Sequence, residues 1–543
     1  MRRPLYLIVA TLLFVLFALQ LVVHATRTSV TIDEPTHLIA GYRYLTCGDF
    51  GINREHPPLL KIVAALPLRT MDLRDPLGPC GQNDGASQAM AFEAGGAFVL
   101  ANGIDRVVIP ARAAAMVFSL ALAALVFAAA RAMFGPVEGL IALAALAFEP
   151  TLLAHGSLIT NDMALATALF ATVFAIYRYK ERPTIARLVF IGIAAGLALA
   201  SKHSGVIVLP IVVLFLWPRV RACAIVIAIA VLLLFATYGF DPRMYFDGFR
   251  VLFAGSERAV SLFDRVYPSG RWYYFPLAFA IKASVITLVL LPFAIASRRW
   301  LLLIPPALFL GISMFAGINI GVRHILPIWP FVIVAGVGGL WAFAKQKRSA
   351  RIVVATLLLF HAINTAAIAP NYIAFGNYPT HRVFKDSNVE WSQNMKIARD
   401  WLEREGVTAC WFAAYGHGAL SAAQQPCKLL PAFGWSAGRI ANAVPEVIEG
   451  TVLVSVTALP PRGGPEYAPI TSTQPIDLLG GSVLVYRGTF RVPRLAAISH
   501  ATRALQLASR GDATAAQNEA RRAMQLAPDD PRVRRAWAAV NAK

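Results

Sequence analysis

The sequence predicts an α-helical polytopic membrane protein that continues into a small α/β domain and a short helical tail. Three observations carry this reading. The 543 residues are 57% hydrophobic and only 15% charged, with a mean hydropathy of +0.58, which is membrane-protein composition. Apolar runs recur near residues 5–24, 107–130, 137–156, 160–177, 186–201, 204–217, 222–239, 273–296, 300–317, 325–344 and 352–369, about eleven transmembrane helices on the usual length criterion. After Pro370 the runs stop and the composition becomes that of a soluble domain.

The first run follows Met1-Arg2-Arg3-Pro4 and ends in Val23-His24-Ala25. It also resembles a secretory signal with cleavage after Ala25, but it exceeds the ~7 to 15 apolar residues of a signal core, so it is read as the first span. With a cytoplasmic N-terminus, alternate loops carry Arg2 and Arg3; Arg131; Arg178, Lys180, Arg182 and Arg187; Arg219 and Arg221; Arg298 and Arg299; and Lys345, Lys347, Arg348 and Arg351. Every one of these loops obeys the positive-inside rule. The formal net charge of +20 thus reports topology: the cations sit in short clusters between apolar runs and form no continuous face for nucleic acid. The expected location is a multi-pass inner-membrane protein with its C-terminal domain in the periplasm.

The external side receives the loop 26–106, the surroundings of Asp162, the segment 239–271 and everything after Pro370. The long first loop contains two short apolar stretches, His56 to Leu66 and Ala86 to Leu100, suited to helices lying in the membrane interface. In the second segment, Phe249, Val251, Leu252 and Phe253, with Arg250 and Arg258, suit a helix flat on the headgroups; the alternative is an ordered connection. Of five cysteines, Cys47 and Cys80 share the first external loop, Cys410 and Cys427 share the C-terminal region, and Cys223 lies in a span. On an oxidising side the expected disulfides are Cys47–Cys80 and Cys410–Cys427, the alternative being five free thiols.

Three domains follow: a membrane module over 1–371, a periplasmic α/β domain over 372–495 and a helical tail over 496–543. In the second, Asn388 to Glu405 has helical spacing, with Trp391, Met395, Ile397, Ala398 and Trp401 on one face. Ala409 to Ala414, Val452 to Val456 and Ser482 to Tyr486 read as short strands. The tail resembles one and a half tetratricopeptide (TPR) units, with Ala527-Pro528-Asp529-Asp530-Pro531 opening the next helix. Fewer than about three repeats rarely form a solenoid, so the tail is expected to pack on the preceding domain.

Two carboxylates, Asp33 and Glu34, stand where the chain leaves the first span, in Thr31-Ile32-Asp33-Glu34-Pro35-Thr36-His37. Asp-Glu-Pro is also how a helix begins, with Asp33 as N-cap. Asp162 opens the fourth span at the same membrane edge and could equally be a cap. An acid in a span costs up to ~3 kcal/mol at its centre, which favours retention for work or capping. His56, Lys61, Lys202, His203, Arg271, Lys282, Arg323 and His324 break the positive-inside pattern by lying external or buried. Such cations suit an anionic headgroup, particularly a phosphate, although each alone could snorkel to lipid. Acids and phosphate-binding cations at a lipid boundary point to group transfer from a lipid-linked phosphate. The carboxylate takes the proton of an incoming hydroxyl, commonly worth about 10² to 10⁴ in rate, and the cations stabilise the departing phosphate.

Seven stretches in order carry a family resemblance: Thr31–His37, Asn53–Lys61, Pro150–Met163, Gly196–Gly205, Trp272–Lys282, Gly321–Pro327 and Asp386–Asn394. Together they resemble bacterial polytopic glycosyltransferases of the GT-C class, relatives of protein O-mannosyltransferases and of the aminoarabinose transferase that modifies lipid A. The resemblance covers about residues 1 to 400. It implies a GT-C fold and an inverting transferase that uses a polyprenyl-phosphate sugar. Asp33 inherits the general-base role, Glu34 a supporting one, and Asp162 the second external acid that positions substrate or acceptor. The implied donor-phosphate contacts are His56, Lys61, Lys202, His203, Arg271, Arg323 and His324. Glu55 and His56 stand where the aminoarabinose transferase has a Glu-Lys pair touching metal and phosphate, so a divalent metal at Glu55 is left open. No His-Glu-x-x-His or Cys-x-x-Cys spacing supports a dedicated zinc site.

Two other classes compete. A transporter or flippase of lipid-linked sugars would also keep charge at the boundary, but such proteins often show inverted repeats, and no internal duplication is seen. A receptor or assembly protein would use the tail for a partner and the membrane part as scaffold. The acceptor class stays open among lipid A or core oligosaccharide, a secreted protein and a surface glycan.

Overall fold

The computed structural model describes the chain except residues 1–2, 82, 84–85, 255–258, 417, 433–442, 460–464 and 543, and the side chains of Arg3, Phe253, Ala254 and Pro465. Arg258 and the side chain of Phe253, expected on the headgroups, therefore lie outside the described residues. The chain divides into two compact units: Met1–Thr26, Asp33–Val260 and Pro268–Tyr378 in one, and Arg27–Ile32, Ser261–Tyr267 and Pro379–Lys543 in the other.

The first unit is helical. It contains α1 (Arg3–Arg27), α2 (Glu34–Cys47), α3 (Leu59–Ala65), α4 (Gln88–Asn102), α5 (Ile104–Met133), α6 (Pro136–Ala147), α7 (Pro150–Gly156), α8 (Asn161–Glu181), α9 (Ile185–Ser201), α10 (Val208–Leu216), α11 (Val220–Ala236) and α12 (Pro242–Ala254). After the short strands β1 (Val260–Leu262) and β2 (Arg265–Tyr267) come α13 (Tyr274–Lys282), α14 (Val285–Ala296), α15 (Trp300–Met314), α16 (Ile328–Ala344) and α17 (Arg348–Ile368). Among the described residues, three helices are long and apolar enough to cross a membrane: Pro4–Arg27, Ile104–Met133 and Arg348–Ile368. Two bent pairs, α6 with α7 at 65° and α13 with α14 at 119°, bring the number to as many as five where each pair counts as one broken span. The other apolar runs form helices shorter than a full span, as in α9, α11, α15 and α16, or are diluted by polar residues, as in α8. At least three spans make this a multi-pass membrane protein.

The two bends are one polar node. Pro150 opens α7, where it lacks only an N–H that has no helical partner, and Glu149 ahead of it is buried. The Glu149 carboxylate accepts from the Ser284 hydroxyl (2.5 Å), the Thr287 hydroxyl (2.5 Å) and the Ser284 amide (3.3 Å) at the start of α14. Thr151 donates to the Lys282 carbonyl at 2.6 Å, and the Lys282 ammonium donates to the carbonyls of Ile373 (2.7 Å) and Phe375. Backbone groups exposed by a broken helix must be satisfied by protein where water is absent, and these side chains do it.

The long stretch after α1 folds into the helices α2, α3 and α4. A Cβ on Gly41 would lie 2.0 Å from the Lys61 carbonyl, and one on Gly95 would lie 2.6 Å from Pro35. Glycine at both crossings lets α3 and α4 pack against α2. The loop's long excursion is gathered by Arg43, which donates to Asp49 (2.8 Å), Asp75 (2.6 Å) and the carbonyls of Gly78 and Gly81. A disulfide joins Cys47 to Cys80.

The second unit holds a five-stranded mixed sheet of order β4-β3-β5-β7-β6. Its strands are β3 (Cys410–Ala413), β4 (Lys428–Leu429), β5 (Val447–Ser455), β6 (Asp477–Leu479) and β7 (Val483–Arg491). β3 runs parallel to β4 and β5, whereas β7 is antiparallel to β5 and β6. Alternation along β5 sends Val452 and Val454 to a core with Tyr467, Ile470 and Leu495, and Leu453 to the opposite core with Met395, Trp401 and Phe412. The second core is built on α18 (Met395–Arg404), and Cys410 and Cys427 are disulfide-bonded beside it. The helix expected from Asn388 begins only at Met395, because residues 388–394 form a buried loop whose polar side chains bond to its own backbone. Short α19 (Gly418–Ala423) and α20 (Ala468–Thr471) flank the sheet.

In the tail, α21 (Pro493–Ser509), α22 (Ala513–Leu526) and α23 (Pro531–Asn541) pack through small residues, among them Ala501, Ala516, Ala520, Ala523 and Ala536. Asp512 and Asp530 cap the second and third of these helices. Leu495 at the start of α21 belongs to the sheet core, so the tail grows out of the preceding domain.

Candidate active site

Asp33 precedes α2, yet its side chain makes no capping bond. Its carboxylate faces Arg323, with Nη2 3.3 Å from Oδ2. Helix capping therefore does not account for this side chain. Asp162 lies in the first turn of α8 behind Thr160, the capping position, and its carboxylate turns to Lys202 (Oδ1 to Nζ, 2.6 Å) and Arg323 (Oδ2 to Nε, 3.7 Å). One guanidinium thus bridges both predicted acids.

The backbone explains the convergence. α9 ends at Ser201, and Lys202 is extended there, at φ −157° and ψ 146°. Arg323 and His324 occupy a short 3-10 turn, Val322–Ile325, just before Pro327 and α16. His324 is near enough to act on the charge of Asp162. The Asp33 side chain is 25% exposed, against 6% for Asp162 and 8% for Arg323. An incoming group can reach Asp33, whereas Asp162 is sealed behind its cations.

Glu34 is occupied otherwise. Arg112 on α5 grips it through two nitrogens, Nε to Oε1 at 2.8 Å and Nη2 to Oε2 at 2.6 Å, and gives Nη1 to the Ala25 carbonyl at 2.7 Å. The Ile159 amide also donates to Glu34, at 3.1 Å. Glu34 and Arg112 are fully buried, so this carboxylate ties the end of α1, α5 and the approach to α8 together.

Of the remaining predicted cations, His56, Lys61 and His203 lie close enough to act on one another's charge, and His56 on that of Lys202 as well. The Lys61 ammonium, buried, donates to the Tyr44 hydroxyl (2.7 Å), the Asn53 carbonyl (2.8 Å) and the His56 carbonyl (2.7 Å), and burial brings its pKa down to about 7. Its three protons shape the loop. His56 stacks edge-on with His37 at 5.2 Å, and burial holds the His56 imidazole well below its usual range. His37 bonds to Asn53 at 2.9 Å, and burial lowers its pKa to about 3. His203 is enclosed by Tyr245 (5.0 Å) and Phe249 (5.4 Å). The Arg271 amide bonds to Asn319 at 2.6 Å. Glu55 accepts from the Asn53 side-chain Nδ2 at 2.8 Å, and among the described residues no group of three or more His, Cys, Asp or Glu side chains is placed to hold a metal ion.

Arg112, Arg43 and Glu149 escaped the sequence reading. Arg112 sits inside an apolar run, and a lone arginine there was the available signal.

Residues 100–245 match the family model described as "Dolichyl-phosphate-mannose-protein mannosyltransferase". No curated protein matches by sequence. Among solved structures, the chain is similar to ArnT from Cupriavidus metallidurans in the apo state, at 16% identity over 88% of this chain and 97% of that one, with a TM-score of 0.44. The same protein bound to undecaprenyl phosphate matches at 13% identity, 91% and 98% coverage and a TM-score of 0.47. The S. cerevisiae protein O-mannosyltransferase Pmt1-Pmt2 complex bound to the sugar donor matches at 18% identity, covering 47% of this chain and 34% of that one, with a TM-score of 0.32. The likeness to the mannosyltransferase family model thus holds over residues 100–245, the segment that carries Asp162 and Lys202.

Proposed function

We propose that this chain transfers a sugar from a polyprenyl-phosphate donor to a hydroxyl of a periplasmic acceptor, with inversion at the anomeric carbon. The observation that carries the reading is the shared cation: Arg323 joins accessible Asp33 to buried Asp162, beside Lys202 and His324. Asp33 takes the acceptor proton as the acceptor oxygen bonds to the anomeric carbon. The bond from that carbon to the donor phosphate breaks, and its electron pair leaves with the lipid phosphate. Arg323 keeps Asp33 charged until the proton arrives, and Lys202, Arg323 and His324 supply positive charge for the departing phosphate. Asp162 holds those cations in place. His56, His203 and Arg271 contribute to the surrounding donor site, and Lys61 and Glu34 act through the shape of the loop.

The matched family and the undecaprenyl phosphate bound by the C. metallidurans protein agree with a lipid-phosphate donor. The eleven-span topology, the cytoplasmic N-terminus and the periplasmic placement of the soluble unit belong to the same proposal; two disulfides suit an oxidising compartment. Mass analysis of glycolipids and glycoproteins from cells with and without the gene identifies the product. In that assay Asp33→Asn is expected to lower product by about 10² or more. Unchanged product would remove Asp33 from the role.

A further inference from the structure

Three of the loops that carry the positive-inside cations meet within the first unit, although they lie far apart in the chain. The end of α5, the last turns of α8 and the turn from α14 into α15 enclose a hollow of about 180 Å³, lined among others by Met133, Tyr177, Arg298, Arg299, Trp300 and Leu302. The Tyr177 hydroxyl donates to the Ala132 carbonyl at 3.4 Å and so joins α8 to the end of α5. Leu302 is buried and Met133 and Tyr177 are half-buried, which makes an apolar floor; Arg298, Arg299 and Trp300 are exposed and make the rim.

The rim carries charge that the protein does not neutralise. Arg178, the other cation acting on the Tyr177 hydroxyl, is spent on Glu181 at 2.9 Å, one turn away on α8. Among the described residues, neither Arg298 nor Arg299 has a carboxylate partner. Arg299 lies instead over the Phe134 ring, 5.5 Å from its centroid. A Cβ on Gly338 of α16 would come within 2.5 Å of that ring, so the platform under the guanidinium is itself wedged in place. Stacking uses the flat face of the guanidinium and leaves its N–H edge for an anion. Arg298 has φ +50°, uncommon for a residue with a side chain, and this turn sets two consecutive arginines on one rim. Trp300 follows, 65% exposed, with Ile295 at 63% on the other side of the turn; an exposed indole beside cations suits the headgroup level of a bilayer. A lone arginine at a span end snorkels to any headgroup, whereas two unpaired guanidinium groups over an apolar hollow make a fixed fork.

We propose that this hollow binds the headgroup of an anionic membrane phospholipid of the phosphatidylglycerol type. Arg298 and Arg299 take the phosphate, and Met133, Tyr177 and Leu302 pack against the adjoining glycerol and acyl carbons. Basic pockets between transmembrane helices recognise such headgroups, and a guanidinium meets phosphate oxygens two at a time. The hollow shares no residue with the Asp33, Arg323 and Asp162 cluster and does not rest on the transfer reading. The proposed topology adds only the leaflet, the cytoplasmic one.

The test titrates the full chain in detergent with phosphatidylglycerol or with phosphatidylcholine of the same acyl chains, reads bound lipid by native mass spectrometry, and adds inorganic phosphate as competitor. The wild-type chain is expected to bind phosphatidylglycerol about tenfold more tightly than phosphatidylcholine. Arg298→Gln with Arg299→Gln should erase that preference, and Arg298→Lys with Arg299→Lys should keep part of it. Arg219→Gln with Arg221→Gln removes two exposed cations of another positive loop, neither of which lines the hollow, and should leave the preference within about twofold. All four arginines are exposed, so the fold is expected to hold in each variant, with the thermal midpoint as the check. Equal affinity of the wild-type chain for both lipids overturns the site. An equal loss in the two glutamine pairs also overturns it, because the preference is then a property of surface charge at large. If inorganic phosphate displaces the lipid at comparable concentration, the ligand is a free anion and the lipid assignment falls.

Discussion

At the scale of the residue, the decisive feature is the unequal exposure of two similar carboxylates. Asp33 and Asp162 share Arg323, but Asp162 is buried while the Asp33 side chain is 25% exposed. Arg323→Ala leaves two acids facing each other without their common cation and is expected to reduce transfer about 100-fold, measured as product per cell. Arg323→Lys should restore only part, because a point charge cannot span both acids as a guanidinium fork does. Glu390 offers a second residue-scale prediction. Its partners are Ser482, Ser392 and Asn394, none of them charged, and burial raises its pKa from 4.5 to about 7. The folded chain therefore holds a proton that the unfolded chain has released between those values. Stability from this group is full below about pH 4.5 and declines as pH rises to about 7, by on the order of 3 kcal/mol. Glu390→Gln should flatten that slope, read as the thermal midpoint at pH 5 and pH 7.5.

At the scale of the element, Glu34 and Arg112 do what a helix-starting sequence could not announce. Their pair fastens α1, α5 and the segment before α8. Removing one partner strands a buried charge, so Arg112→Met is expected to destabilise the protein by about 3–5 kcal/mol, while Glu34→Gln combined with Arg112→Met should recover part of that loss. Thermal unfolding of the detergent-solubilised protein measures both. The bends of α6–α7 and α13–α14 were partly legible, since Pro150 and Ser284 are recognisable helix openers. That Glu149 would reach across from one bend to the other was not, because nothing in either stretch names its partner 135 residues away. Similarly, the helix expected from Asn388 starts late: its apolar spacing was real, but Glu390, Gln393 and Asn394 bond to the loop's own backbone and to Ser482.

At the scale of the whole molecule, the proposed topology predicts the behaviour of reporter fusions. Alkaline phosphatase should be active when joined after residue 80 or after residue 495 and inactive after Arg131 or Arg299, since the enzyme needs an oxidising compartment. Reducing the Cys47–Cys80 bridge opens a 33-residue loop and should cost about 4 kcal/mol on the chain-entropy account; a lower thermal midpoint with reductant is the readout. The matched segment 100–245 holds Asp162 and Lys202 but neither Asp33 nor Arg323, so the Asp33–Arg323 pair is known from the geometry alone.

Membrane character, the identity of the acids and cations, and the core strands of the α/β domain follow from the amino-acid order alone. They depend on composition and short-range periodicity, which a chain carries in any conformation. Which acid is exposed, which cation is already spent on the loop, and which arginine links the two carboxylates were decided only by the tertiary structure. Those properties arise from residues as much as 290 positions apart meeting in a low-dielectric interior, where partner and burial set what a charge can do.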